Sequence, residues 1–96
     1  MYLQLHYTIF DLKLRWSTDK NEELKRARGV SFEELVEAEV LLGRSHPGRL
    51  NQSLLVFEFK NYVWVVPCVI RGDDVFLKTA YPSRKYTKKW REGRLT

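Results

Sequence analysis

The sequence predicts an α+β domain: a strand, two helices, a three-stranded antiparallel meander and a short basic helix, with the helices on one face of the sheet. Three features carry that reading. Hydrophobicity alternates with a period of two through Trp16, a complete helix-start signature surrounds Ser31, and three apolar runs separated by short polar turns lie between Leu54 and Tyr81.

Leu3, Leu5, Tyr7 and Ile9 fall on one side of the opening segment, and beyond Asp11 the residues Leu12, Leu14 and Trp16 oppose Asp11, Lys13 and Arg15. A period of two is a strand. It is one long strand or two pieces bent near Asp11, since no Gly or Pro marks a turn there. Ser17, Thr18 and Asp19 each offer an N-cap, and Asp19 with Glu22 has the spacing of a reciprocal cap. A first helix should run from there to about Arg28 and end at Gly29, which can take the left-handed conformation. Ser31 and Glu34 form a capping box and Val30 and Leu35 a hydrophobic staple, so a second helix starts at Phe32. Phe32, Leu35, Val36, Val40 and Leu42 mark its core side, and it should stop near Gly43.

Arg44 to Ser53 reads as a polar loop. Leu54 to Phe59 and Tyr62 to Ile70 then form a hairpin around Lys60-Asn61, because Asn tolerates positive φ. Arg71 to Asp74 makes the next turn, and Val75 to Tyr81 is the last strand. Pro67 brings no N–H, so its strand must carry a bulge or lie at an edge at that point. Ser83 can cap a final helix that Gly93 stops, and Tyr86 and Trp90, four apart, can dock it on the sheet.

With 96 residues and 44% hydrophobic content, the chain supports one modest core and a single domain over 1–96. Seventeen Lys and Arg against twelve Asp and Glu give a net charge of +5, which favours a polyanionic partner such as nucleic acid. Cys68 is the single cysteine and lies in an apolar run, so it forms no intramolecular disulfide and fits a reducing interior as a small hydrophobe. No apolar stretch approaches the ~20 residues of a membrane span, and the first segment lacks a signal-peptide pattern. A cytoplasmic protein with no membrane partner is expected. Two isolated histidines and one cysteine lack ligand spacing, so neither a metal nor another cofactor is expected. No glycine-rich phosphate loop or nucleophile elbow occurs.

The charge is concentrated. From Lys78 to Arg94 seven basic residues accompany the single acid Glu92. On a helix, Arg84, Lys88 and Arg91 share one stripe suited to a phosphate backbone, with Lys85 and Lys89 as further contacts. A solvated basic tail is the plainer alternative. The interleaved Tyr81, Tyr86 and Trp90 suit base stacking, though they serve equally well as core. Exposed aromatics of this kind could also support a homodimer. Lys78 interrupts an otherwise apolar strand and must face solvent, a groove or a carboxylate. His46 is the default group for proton transfer near neutrality, yet a His before Pro is usually an ordinary loop residue. Arg49, Asn51 and Gln52 share its loop, where turn duties compete with substrate contact. His6 has no recognisable partner.

Two stretches resemble a known family. Trp16, Lys20 and the block Gly29-Val30-Ser31-Phe32-Glu33-Glu34 are similar to the signature of BrnT-like toxins, and Arg84-Lys85-Tyr86-Thr87-Lys88-Lys89 is similar to the segment with which that family ends. Ser17 and Arg28 depart from it, standing where the family commonly has an acid and a histidine. The resemblance implies a RelE-like fold, metal-independent cleavage of RNA, and a cognate antitoxin of a type II toxin-antitoxin pair. Cutting RNA without metal requires the ribose 2′-hydroxyl to attack its neighbouring phosphorus, while the protein stabilises the charged phosphorane and moves protons. The expectation is that Arg84 and Lys78 converge on one groove and carry that charge, that Lys20, Arg49, Lys85, Lys88 and Lys89 hold the RNA, and that His46 or Tyr81 transfers protons. The competing reading is a nuclease-dead nucleic-acid-binding or regulatory module of the same fold.

Overall fold

The computed structural model describes residues 5–9, 11–46, 48 and 51–95. The opening segment is two strands rather than one: β1 (Leu5–Ile9) and β2 (Leu12–Arg15) pair antiparallel, and the bend falls where Asp11 takes a φ of 63°. Asp enters the left-handed region more readily than bulkier residues because its short side chain can bond locally. α1 (Thr18–Arg28) is capped by Ser17, whose Oγ accepts from the Lys20 amide, and it ends at Gly29 with a φ of 71°. Of the three candidate caps, only Ser17 fills the position.

The capping box at Ser31 and Glu34 forms as expected and opens α2 (Phe32–Val36). The helix does not reach Gly43, however. It ends after Val36, and the chain extends into β3 (Glu39–Ser45). Val40 and Leu42 are two apart, a spacing a strand satisfies as well as a helix. Pairing along β4 supplies a partner ladder that local helix propensity cannot outweigh. The register shifts between Val40 and Leu42, so β3 carries a bulge at Leu41.

β4 (Ser53–Phe59) and β5 (Tyr62–Arg71) turn through Lys60 and Asn61, with φ of 53° and 63°, the left-handed pair a two-residue hairpin requires. β6 (Asp74–Leu77) follows a turn in which Gly72 has a φ of 59°. The meander therefore has four strands, β3 to β6, one more than the sequence suggested. The sheet runs β1-β2-β6-β5-β4-β3, and β2 lies parallel to β6.

The predicted last strand from Val75 to Tyr81 is broken. β6 stops at Leu77, and Tyr81 and Pro82 form β7, which pairs with Val65 and Trp64 of β5. Between the two the register advances by one residue, and the extra residue lies on the facing β6–β7 segment, whereas β5 itself runs past Pro67 without the bulge expected of it. The Lys78 amide still donates to the Pro67 carbonyl at 2.8 Å, but Pro67 has no N–H to return. α3 (Arg84–Arg91) then starts at Ser83, whose Oγ accepts from the Tyr86 amide. Tyr86 and Trp90 are only half-buried. Thr87 is the fully buried member of the helix, and its Oγ1 accepts from the Val63 amide at 2.9 Å.

The main core lies between the sheet and the pair α1 and α2. Trp64, Val66 and Cys68 of β5, Phe57 of β4, Val75 and Leu77 of β6 and Leu14 of β2 meet Leu24, Phe32, Leu35 and Val36 there. Fully buried side chains such as Phe32 and Leu35 each stabilise by roughly 1.5–3 kcal/mol. The Trp16 and Phe32 rings, 5.5 Å apart and tilted by 35°, add packing of the kind aromatic pairs favour. The alternating residues Leu54, Val56, Val63 and Val65 point to the other face and are buried too. Among the described residues no helix is long and apolar enough to cross a membrane.

Asn21 joins the two helices. It is 4% exposed, its Oδ1 accepts from the Phe32 amide at 2.8 Å, and its Nδ2 donates to Glu33 Oε1 at 2.6 Å. Replacing it by alanine strands a buried N–H, so Asn21→Ala should cost about 1–3 kcal/mol. Thermal unfolding checks this, and a melting temperature equal to that of the parent would refute it.

Burial pushes the Cys68 thiol up from its ordinary 9.0 to about 11, with Sγ directed to the Ser53 carbonyl at 3.5 Å. A raised acid favours folding fully below the unfolded value, and the contribution disappears as pH climbs through the folded one. Stability should therefore fall between about pH 9 and pH 11 by an amount absent in Cys68→Ala. Native protein should also resist alkylation at neutral pH and react only on unfolding, a contrast that mass spectrometry of iodoacetamide-treated samples will read.

Candidate nucleic-acid interface

β2 and β6 run parallel and end side by side, Arg15 opposite Phe76, and the chain leaves β2 directly into α1. Crevices outside the carboxyl ends of parallel strands are a common place for ligands. Here that end opens into a cleft of about 550 Å³ lined by Ser17, Lys20, Val69, Arg71, Phe76, Leu77 and Lys78. A second cleft of about 520 Å³ adjoins it, sharing Val69 and Arg71, and is walled by Ser45, His46, Asn51, Gln52 and Ser53. Val69 and Phe76 are cross-strand partners that alternate with the core residues Cys68 and Leu77, so they face away from α1 and α2.

The groove is electropositive. Lys78 and Arg71 are exposed and have no ion-pair partner among the described residues, while Lys20 makes only a 3.5 Å contact with exposed Glu23. Such surface pairs contribute little and are readily exchanged for another anion. The neighbouring acid, Asp74, is held by Arg15 at 2.9 Å.

His46 sits in the adjoining cleft with its orientation fixed. Its backbone N–H donates to the Gln52 carbonyl at 2.9 Å, and its Nδ1 accepts from the Gly48 amide at 2.9 Å. An accepting Nδ1 carries no proton, so the neutral ring bears its hydrogen on Nε2. In that state His46 offers a hydrogen bond to an anion. To act as a general acid it must become imidazolium, whose Nδ1–H would confront the Gly48 N–H.

The stripe of Arg84, Lys88 and Arg91 forms as expected and lines a cleft of about 250 Å³ with Tyr62, Thr87 and Glu92. Arg91 is occupied in docking the helix. Its Nη2 donates to the Asn61 carbonyl at 2.9 Å, and its guanidinium lies 5.9 Å from the Tyr62 ring centre. Arg84 and Lys88 are exposed and unpaired among the described residues. Lys85 is exposed and Lys89 half-buried, both off the stripe.

The sequence-predicted residues thus separate into two groups. Lys20 and Lys78 come together in the large cleft, with His46 in the cleft beside it. Arg84 and Lys88 line another that shares no residue with these. None of these three clefts holds both Lys78 and Arg84, since β7 and the start of α3 carry Arg84 toward the Tyr62 end of β5. Tyr81 lies between, exposed on β7, opposite Val65 and hence on the same sheet face as Phe76. Arg49 lies outside the described residues. Two residues in the cleft escaped the sequence reading. Arg71 passed for a turn residue beside Gly72, and Phe76 for ordinary strand filling, although alternation alone puts Phe76 and Lys78 on one side of their segment.

Among solved structures, the fold matches the 1.1 Å crystal structure of the Brucella abortus ribonuclease toxin BrnT with a TM-score of 0.51. The match has 16% sequence identity and covers 75% of this chain and 96% of that one. No protein-family profile and no curated sequence matches. The likeness establishes a BrnT-like fold.

The His46 tautomer is directly measurable. Long-range proton–nitrogen correlation spectra of the neutral ring should show the Nε2–H form, and a dominant Nδ1–H form would overturn the hydrogen-bond assignment to Gly48.

Proposed function

We propose that this chain is the toxin of a type II toxin-antitoxin pair, an endoribonuclease that cleaves RNA, mRNA above all, without metal and so arrests growth. The observation that carries the reading is the cation-walled groove at the carboxyl ends of β2 and β6 on a BrnT-like fold. A ribose-phosphate chain laid along it would meet Lys20, Lys78 and Arg71, donors suited to the developing negative charge of the phosphorane. The 2′-oxygen attacks the adjacent phosphorus and the bond to the 5′-oxygen breaks, leaving a 2′,3′-cyclic phosphate and a 5′-hydroxyl. Taking the proton from the attacking 2′-hydroxyl and returning one to the departing 5′-oxygen fall to His46, once its Nδ1 is released from Gly48, or to the Tyr81 phenol. Arg84 and Lys88, with Lys85 and Lys89 beside them, hold the flanking backbone together with Arg49. The partner that silences the enzyme would be an antitoxin presenting acidic residues to the same surface.

The separation of Lys78 from Arg84 favours a second reading, a module that binds RNA through two basic clefts and performs no chemistry. Induced expression with and without the neighbouring gene, followed by mapping of RNA ends, distinguishes the two. The toxin reading expects growth arrest, new 5′-hydroxyl ends and rescue by the neighbour. Removing one transition-state donor typically costs about 10²–10³ in rate, so Lys78→Ala with Arg71→Ala should abolish detectable cleavage while the protein melts as before. RNA binding without new ends would leave the binding module, and full cleavage by the double variant would remove this groove from the mechanism.

A further inference from the structure

We propose that Phe76 is the floor of a nucleobase-stacking subsite, so that the RNA this protein takes is single-stranded; the inference rests on reading the large cleft as a ribose-phosphate groove. Phe76 is half-buried and open to that cleft, outside the cluster of side chains that forms the main core. Among the described residues its ring meets no other aromatic ring. Its cross-strand neighbours are Val69 on β5, which continues the apolar floor, and Arg15 on β2, whose guanidinium is engaged by Asp74. Lys20, Arg71 and Lys78 line the same cavity.

An aromatic face at the bottom of a cationic cleft offers two complementary things to a nucleotide: a surface for the base and charge for the phosphates. Stacking of this kind needs a base whose face is free, which an A-form duplex does not present. It also tolerates any base, because every base has a π-face. If Phe76 merely shields β6, leucine would serve as well. If it stacks, leucine would not.

The test uses a short 2′-O-methyl oligoribonucleotide, which cannot be cut because its attacking oxygen is blocked. Two controls of equal length accompany it, an abasic strand and a perfect duplex. Fluorescence anisotropy at several salt concentrations reads affinity and salt slope. The parent should prefer the base-bearing single strand over both controls by roughly 5- to 150-fold, the range stacking on one aromatic supports. Phe76→Leu should erase that preference and leave the salt slope unchanged, whereas Phe76→Trp should keep or enlarge it. Lys78→Ala should do the reverse, lowering the slope by about 1 with the preference intact.

Equal, strongly salt-dependent affinity of the parent for all three probes would leave the groove standing and refute the subsite. A folded Phe76→Leu that keeps the preference refutes it as well. Absence of binding to every probe would bring down both the subsite and the groove. Should Phe76→Leu fail to fold, the three-probe comparison on the parent and the Trp variant decides the matter alone.

Discussion

Pro67 stands in the middle of β5 with a carbonyl to offer its neighbour and no N–H, so the strand laid against it cannot run straight past. Much of the architecture beyond that point follows. β6 ends at Leu77, one hydrogen bond later the chain bulges, and β7 resumes in a shifted register against Trp64 and Val65. Lys78 lies at the point of departure, exposed instead of locked into a strand. The shift also sets where Ser83 starts α3, and thus where Thr87 meets the Val63 amide.

Folding explains many of the residues in the two family-resembling stretches. Trp16 and Phe32 pack on each other in the core, Gly29 takes the left-handed turn between helices, and Ser31 with Glu34 satisfies the first amides of α2. In the carboxyl-terminal block, Thr87 is buried and holds the helix to β5. These positions secure the scaffold. The cations of the same stretches face solvent-open clefts: Lys20 beside the capped start of α1, and Arg84 and Lys88 on the outward stripe of α3.

Local chemistry was legible wherever a short stretch decides its own conformation. The Ser31 box, the stop at Gly29, the Lys60-Asn61 turn and the cap at Ser83 are all decided within a few residues. Val40 and Leu42 were misread for the converse reason. Their spacing suits either period, and the deciding partner, β4, lies well away in sequence. The Asp11 bend was equally ambiguous, since a left-handed Asp leaves no distinctive residue to mark it.

The α+β class, most element boundaries and the excess of positive charge near the carboxyl end follow from near-neighbour contacts and composition, and so are written in the order of residues alone. Which cations share a cleft depends on the folded arrangement of distant strands. Lys20, Arg71, Phe76 and Lys78 become neighbours through the parallel pairing of β2 with β6 and the hairpin that sets β6 beside β5. Such long-range registers are selected by burial of a whole sheet face rather than by any local pattern.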